Sequence, residues 1–362
     1  MFSKLERKIK TWAAVTLPIR WIEPYMRGGD CLVFSADPLV IYVKDWVIRY
    51  RPGALLPILR QSRHRIVHLL ISLSWAHDSD WMIKQLKLWQ EQHLRRFQRH
   101  RVIFMVNSEA EHRMMTAAGL EHVWVNSNSF VNPAVFRILP GTEKHFDAVY
   151  DARISPFKRH DLAAGIKSLA LITGRIIYHH DEPYIRSIRD ILPQAHWFNN
   201  PLAADYHWMS FPEINAALNR CRVGLCLSAE EGAMYGSMQY LLAGLPVVST
   251  QSRGGRDEFF DQDYVRIVAD NKEAVAAGVR EMLDCKLPPE EIRRRTLEKS
   301  ERHKTRLFGL LDTICPDEDW RADMRCRWEN WTSVFFSDCI SPTAIRKRVE
   351  DAATCKTTSS IS

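Results

Sequence analysis

The stretch "EEGAMYGSMQYLLAGLPVVST", Glu230 to Thr250, places two adjacent carboxylates and two glycines just ahead of a short helical pattern. Met238, Leu241, Leu242 and Leu245 recur at the i, i+3, i+4, i+7 spacing of a helix face packed on a core, so the spacing predicts a helix over 236–243. Gly244 fits its C-terminal stop, and Pro246 opens an uninterrupted apolar strand. The start of such a helix offers unpaired N–H groups and a partial positive charge, a natural place for phosphate. Gly232 and Gly236 let the backbone approach it closely. A carboxylate is poorly placed beside an anion, but it suits the hydroxyls of a sugar, from which it accepts hydrogen bonds. Gln239 sits one residue off the apolar stripe, in the first turn, and faces the same end.

Outward from this stretch, short apolar runs alternate with longer helical patterns. The runs fall at 31–36, 65–73, 101–108, 122–127, 146–152, 174–180, 223–229, 246–250 and 265–269, and helical stretches at 81–99, 108–119, 159–172, 212–220 and 271–284. Continuous rather than alternating hydrophobicity marks strands covered on both faces, hence parallel sheets, and the class is α/β. Pro140, Gly141 and a charged cluster interrupt the alternation, which predicts a domain break there. The expected organisation is an N-terminal domain over 1–140, a second domain over 141–316, a C-terminal helix over 317–340 and a polar tail over 341–362. In that helix Trp320, Met324, Trp328 and Trp331 fall near helical spacing, a stripe that reads as packing.

The 362 residues suffice for two cores, and no run of 18 apolar residues that would span a membrane occurs. Eight cysteines are scattered without CxxC or paired Cys/His spacing, the pattern of reduced thiols in a cytoplasmic protein, and no metal site follows. The net charge of +7 is uneven: residues 1–140 carry 20 Lys and Arg against 11 Asp and Glu. Such a half fits an anionic membrane surface at its inner face, an anionic acceptor, or simply solvent. The segment 1–25 reads either as an ordinary surface helix or as a basic amphipathic segment on that surface. Nucleic acid is the poorest fit, since no recognisable module is present and the aromatics are not patterned for stacking.

Glu231-Gly232, the run Gly244-Leu245-Pro246-Val247-Val248 and the pair Gly254-Gly255 together resemble the donor-site signature of glycosyltransferase family 4, retaining enzymes of the GT-B fold. In that family two acids at fixed spacing precede the "GxPVV" strand. Counting back from Gly244 puts the first at Glu231, while the second position is Gln239. "YDARISPFKRHDLAAGI" (150–166) is similar to the family's segment in which a strand ends in Arg and a Lys follows, and "NSNSFVNPAVF" (126–136) to its "NGVD…F" turn.

The resemblance implies two Rossmann-like domains facing across a cleft, a nucleotide-sugar donor, a glycan or lipid-linked hydroxyl acceptor as for a polysaccharide precursor, and no cofactor or metal. It implies that Arg153 and Lys158, with Arg159 a weaker candidate, neutralise the donor diphosphate, that Glu231 holds sugar hydroxyls and Gln239 the ribose. Tyr235 and Gly236 at the helix start, with Gly232, Gly254 and Gly255, would complete the donor loop. Gly254 and Gly255 read equally as a plain turn, and Glu230 as a surface acid.

The chain also departs from the pattern. "EGFG" becomes "EGAM", and the glycine-rich loop usual after the first strand is not recognisable. An amide in place of the ribose-binding acid gives up a charge-assisted bond worth roughly 1.5–3 kcal/mol for one worth about 1, so nucleotide binding is expected to be about tenfold weaker. For an N-terminal histidine near the donor sugar, His77 in "SLSWAHDSDW" is the candidate, whereas His68 lies inside a strand and reads as core. Two other readings stand beside transfer: a nucleotide-sugar epimerase of the same fold, and a degenerate binding module without catalysis.

Overall fold

The computed structural model describes residues 29–45, 48, 55–174, 182–331 and 339–340. The basic N-terminal segment, most of the strand expected over 174–180, the tail over 341–362 and the side chains of Trp328 and Trp331 lie outside the described residues. The chain forms two compact units, one of Met1–Val125 with Thr305–Ser362, the other of Asn126–Lys304.

In the first unit strands β1 (Gly29–Ala36), β2 (Leu39–Lys44), β3 (Val67–Ser72), β4 (His100–Val106) and β5 (His122–Trp124) alternate, from β2 onward, with helices α1 (Leu56–Gln61), α2 (Asp80–Arg96) and α3 (Glu109–Ala117). From β2 to β5 the pairing is parallel, and β1 joins β2 as an antiparallel hairpin. β2 and β3 are buried along their whole length, as strands covered on both faces must be. Ser79 and Ser108 cap α2 and α3, accepting from the backbone N–H of Met82 and Glu111.

The second unit is a wholly parallel sheet in the order β13-β11-β9-β6-β7-β8, from β6 (Phe146–Asp151), β7 (Leu169–Ile172), β8 (His196–Trp197), β9 (Cys221–Cys226), β11 (Val247–Thr250) and β13 (Val265–Val268). Helices α4 (Glu182–Ile191), α5 (Phe211–Asn219), α6 (Tyr235–Leu242) and α7 (Lys272–Leu283) flank its strands in sequence, and the short β10 (Glu230–Glu231) and β12 (Arg253–Gly254) form a separate parallel pair. Met238, Leu241, Leu242 and Leu245 are all buried in this unit's core.

Three expectations are corrected. With a 3₁₀ turn, Pro156–Lys158, just ahead of them, the residues 159–172, expected to be helical, form one further 3₁₀ turn, His160–Ala163, and then β7. Its four apolar residues also satisfy a helical repeat with Leu162 and Ile166, and so short a run does not fix the period. The break expected at 140 falls at 125/126. The segment after it is tied to the second unit: Asn126 Nδ2 donates to Gly255 O (2.7 Å), and the Arg137 and Leu139 N–H groups donate to Asn215 and Asn219 (3.0 and 2.8 Å). At the other end the second unit closes at Lys304 rather than at 316. A long helix α8 (Pro289–Ile314) leads to α9 (Glu318–Trp331), whose Trp320 is buried and donates from Nε1 to Ser35 Oγ at 2.8 Å in the first unit. No helix among the described residues is long and apolar enough to cross a membrane.

Candidate functional site

The C-terminal ends of parallel strands are where loops gather in an open α/β sheet, and in the second unit β6 and β9 both end there in loops that carry charge. β6 ends at Asp151, and Ala152 and Arg153 follow at once. The 3₁₀ turn Pro156–Lys158 then brings Lys158 back toward the strand, fixed by the buried Tyr150, whose hydroxyl donates to Lys158 O at 2.7 Å. Beyond β9, β10 carries Glu231 opposite Gly254 of β12. The Gly255 N–H donates to Gly232 O at 2.7 Å. Gly232, Gly254 and Gly255 therefore form the clamp that holds Glu231 in place, outside the cavity wall. Gly254 has φ +96°, a conformation open chiefly to glycine.

These pieces converge on one cavity of about 310 Å3, the size of a small-molecule site. Arg153, Lys158, Glu231, Tyr235, Gly236 and Gln239 all line it. Lys158 Nζ and Glu231 Oε1 form an ion pair, with both side chains largely buried. Gln239 Oε1 is buried and has no hydrogen-bond partner in the structure. At Gly236 an added Cβ would lie 3.0 Å from Asp151 O and 3.2 Å from Met234 Cε, so the start of α6 approaches β6 where a side chain is crowded out. That start has no side-chain cap, since Met234 occupies the N-cap position.

Asp151, which the sequence reading did not single out, also lines the cavity. Enclosure by protein pushes its carboxyl up to about 7, and the Lys158 ammonium opposes the shift. Its backbone N–H donates to the hydroxyl of Tyr240, a fully buried residue of α6. Tyr150 and Tyr240 thus position the backbone at Lys158 and Asp151.

The remaining candidates stand elsewhere. Arg159 has φ 52° and turns away from the cavity: its guanidinium donates to Leu227 O (2.6 Å), Thr250 Oγ1 (2.8 Å) and Asp270 Oδ2 (2.8 Å). Glu230 is partly exposed and 3.7 Å from Arg253, a surface pairing. His77 belongs to the first unit and is fully buried, with Nδ1 2.7 Å from Trp75 O, Nε2 3.6 Å from Asp45 Oδ2, and its N–H donating to Glu111 Oε1 at 2.8 Å. His68 lies buried in β3. Among the described residues no group of three or more His, Cys, Asp or Glu is placed to hold a metal ion.

Arg256, also unremarked in the sequence, is fully buried. Its guanidinium donates to Cys226 O (3.2 Å), Ser228 O (2.6 Å), Ser249 Oγ (2.7 Å) and Thr250 O, and pairs with Asp257 (2.7 Å). It closes the carbonyl ends of β9 and β11 beneath the loops that carry Glu231 and Gly254.

No protein-family model matches the chain, and no curated protein does. Solved structures do. A glycosyltransferase from Rickettsia africae is similar at TM-score 0.53 and 10% identity, covering 93% of this chain and 85% of that one. HepE of Anabaena in complex with UDP is similar at TM-score 0.53 and 13% identity, covering 75% and 84%. Sucrose-phosphate synthase of Thermosynechococcus elongatus is similar at TM-score 0.52 and 12% identity, covering 83% and 74%. The chain has the mixed α/β, parallel-sheet fold of the GT-B glycosyltransferases.

Proposed function

We propose that the protein is a glycosyltransferase that moves a sugar from a nucleotide-sugar donor to a hydroxyl acceptor with retention of configuration, as in glycosyltransferase family 4. The observation that carries this reading is the convergence of Arg153, Lys158, Glu231 and Gln239, drawn from separate stretches of sequence, on one cavity at the C-terminal end of a parallel sheet. That HepE, a protein of the same fold, holds UDP supports a nucleoside diphosphate as the ligand.

In this reading the cations act on the leaving group. As the glycosidic bond to the diphosphate breaks, negative charge grows on the departing oxygen, and preorganised Arg153 and Lys158 stabilise it without reorganising. Lys158 then exchanges part of its pairing with Glu231 for phosphate, and the Glu231 carboxylate accepts from sugar hydroxyls. Gln239 Oε1 accepts from a ribose hydroxyl. In the retaining front-face route, the acceptor oxygen forms its bond to the anomeric carbon on the face the diphosphate leaves, and the departing phosphate oxygen takes the acceptor proton. No protein base is required for that step, and the nucleotide sugar serves as co-substrate with no resident cofactor. The acceptor is assigned to the glycan or lipid-linked class, and the basic N-terminal part suits work at an anionic surface.

Thermal shift against a panel of nucleoside diphosphates and nucleotide sugars tests the site. The wild type should gain stability with one or more of them, and Glu231→Ala and Lys158→Ala should each lose that gain relative to their own unliganded melting points. A gain undiminished in both variants removes the site. Product of inverted anomeric configuration by NMR removes the mechanism, and binding without any turnover leaves a binding module.

A further inference from the structure

The cavity's lining is chemically mixed. Arg153, Lys158, Glu231 and Gln239 bring charge and polarity to it, while Trp208, Met209 and Phe211 add apolar and aromatic surface. Trp208 is 68% exposed and lines the cavity, so its indole face is open to a ligand there. It stands beside Gly174, where an added Cβ would meet the indole at 4.0 Å, an ordinary contact distance.

Three polar residues of the lining, Thr173, Asn199 and Tyr206, hydrogen-bond to one another. Asn199 Oδ1 accepts from the Thr173 N–H (2.8 Å) and its Nδ2 donates to Thr173 O (2.6 Å). Thr173 Oγ1 donates to Asn199 O (3.1 Å), and the Tyr206 hydroxyl donates to Thr173 O (3.2 Å). Thr173 and Asn199 are themselves 3% and 6% exposed. Their side-chain hydrogen bonds are committed to the cavity's own frame.

We propose that Trp208 is the stacking platform for the base of the bound nucleotide, and that the site holds the base by its π-face rather than by its hydrogen-bonding edge. The consequence is a donor site tolerant of base identity, because every base has a π-face while each has a different edge. The inference rests on the reading that the cavity takes a nucleoside diphosphate.

The test is calorimetric titration of the full chain with UDP, CDP, ADP, GDP and inorganic pyrophosphate, repeated on Trp208→Ala and Trp208→Phe. The four nucleotides should bind the wild type within about tenfold of one another, and Trp208→Ala should weaken each by about tenfold or more, as loss of one aromatic stack does. Pyrophosphate, which has no base, should bind wild type and variant alike, and Trp208→Phe should recover most of the loss. The exposed position makes misfolding of these variants a minor concern, and an unchanged melting point checks it. A spread wider than about tenfold among the four bases, nucleotide affinity untouched by Trp208→Ala, or an equal loss for pyrophosphate overturns the proposal while the donor-site reading stands. Failure of every nucleotide and of pyrophosphate to bind overturns both.

Discussion

In the proposed donor site Gln239 brings an amide where a carboxylate would accept from both hydroxyls of a ribose, and its Oε1 is buried without a partner. An unpaired buried acceptor costs about 1–3 kcal/mol, which a donating ligand hydroxyl recovers. Gln239→Glu exchanges a neutral acceptor for a charged one beside Lys158, and donor affinity should tighten about tenfold by calorimetry. An unchanged dissociation constant would withdraw the ribose role from this residue. Glu231, Gln239 and Lys158 were legible because each sits at a fixed distance from a local landmark, the "GLPVV" strand or the end of β6. Tyr150, Tyr240, Asp151 and Trp208 were not. Tyr240 meets Asp151 across 89 residues of sequence, and nothing in a local pattern says where a phenol will point.

At the scale of elements, the helix expected over 236–243 is Tyr235–Leu242, and the strand expected over 246–250 is Val247–Thr250. Gly244 takes φ +74°, and a Cβ there would lie 2.6 Å from Pro289 Cβ, so both conformation and space demand glycine. Strand β2 is not among the expected runs, because an antiparallel hairpin closed by only Asp37 and Pro38 lies outside the strand-then-helix alternation that the other runs follow. Arg256 escaped for another reason: an arginine after a Gly-Gly pair looks like a solvated loop residue until the sheet folds around it. Its pairing with carbonyl groups at the ends of β9 and β11 is the kind of buried charge that is costly to lose. Arg256→Met should lower unfolding free energy by about 3–5 kcal/mol in chemical denaturation, with Arg256→Lys recovering little because an ammonium cannot reproduce the planar fork. Stability within 1 kcal/mol or so of wild type would mean that the carbonyl ends find other donors.

For the whole molecule, stability is set against pH by groups buried in both units. Glu111 is fully buried in the first unit, and although the His77 and Asn107 N–H groups donate to its oxygens, burial pushes its carboxyl up to about 7. Between the ordinary carboxylate range and pH 7 the unfolded chain has this group ionised while the folded chain keeps the proton. The folded state then binds more protons, and stability falls as pH rises through that window. Glu111→Gln removes this slope, so the stability advantage of wild type over variant should shrink between pH 5 and 7.5, by an amount on the order of 3 kcal/mol. Parallel pH profiles of unfolding free energy would refute the assignment. His93 and His160, held neutral with burial lowering them to about 3, act in the opposite sense and favour folding as pH rises toward 6.5. The division of the chain into two α/β units was legible from the alternation of apolar runs, but its position was not. The asparagines at 126, 215 and 219 that pin the first segment of the second unit are recognisable only by what they bond. Arg159, with its left-handed backbone and three guanidinium bonds to Leu227, Thr250 and Asp270, has a wider consequence. It rivets the loop that carries Lys158 to the ends of two neighbouring strands, so that loop should open together with the sheet, and its hydrogen-bonded amides should exchange with solvent more slowly than those of an unpinned loop. A ligand arriving there meets cations already in position and forfeits little chain entropy in gathering them.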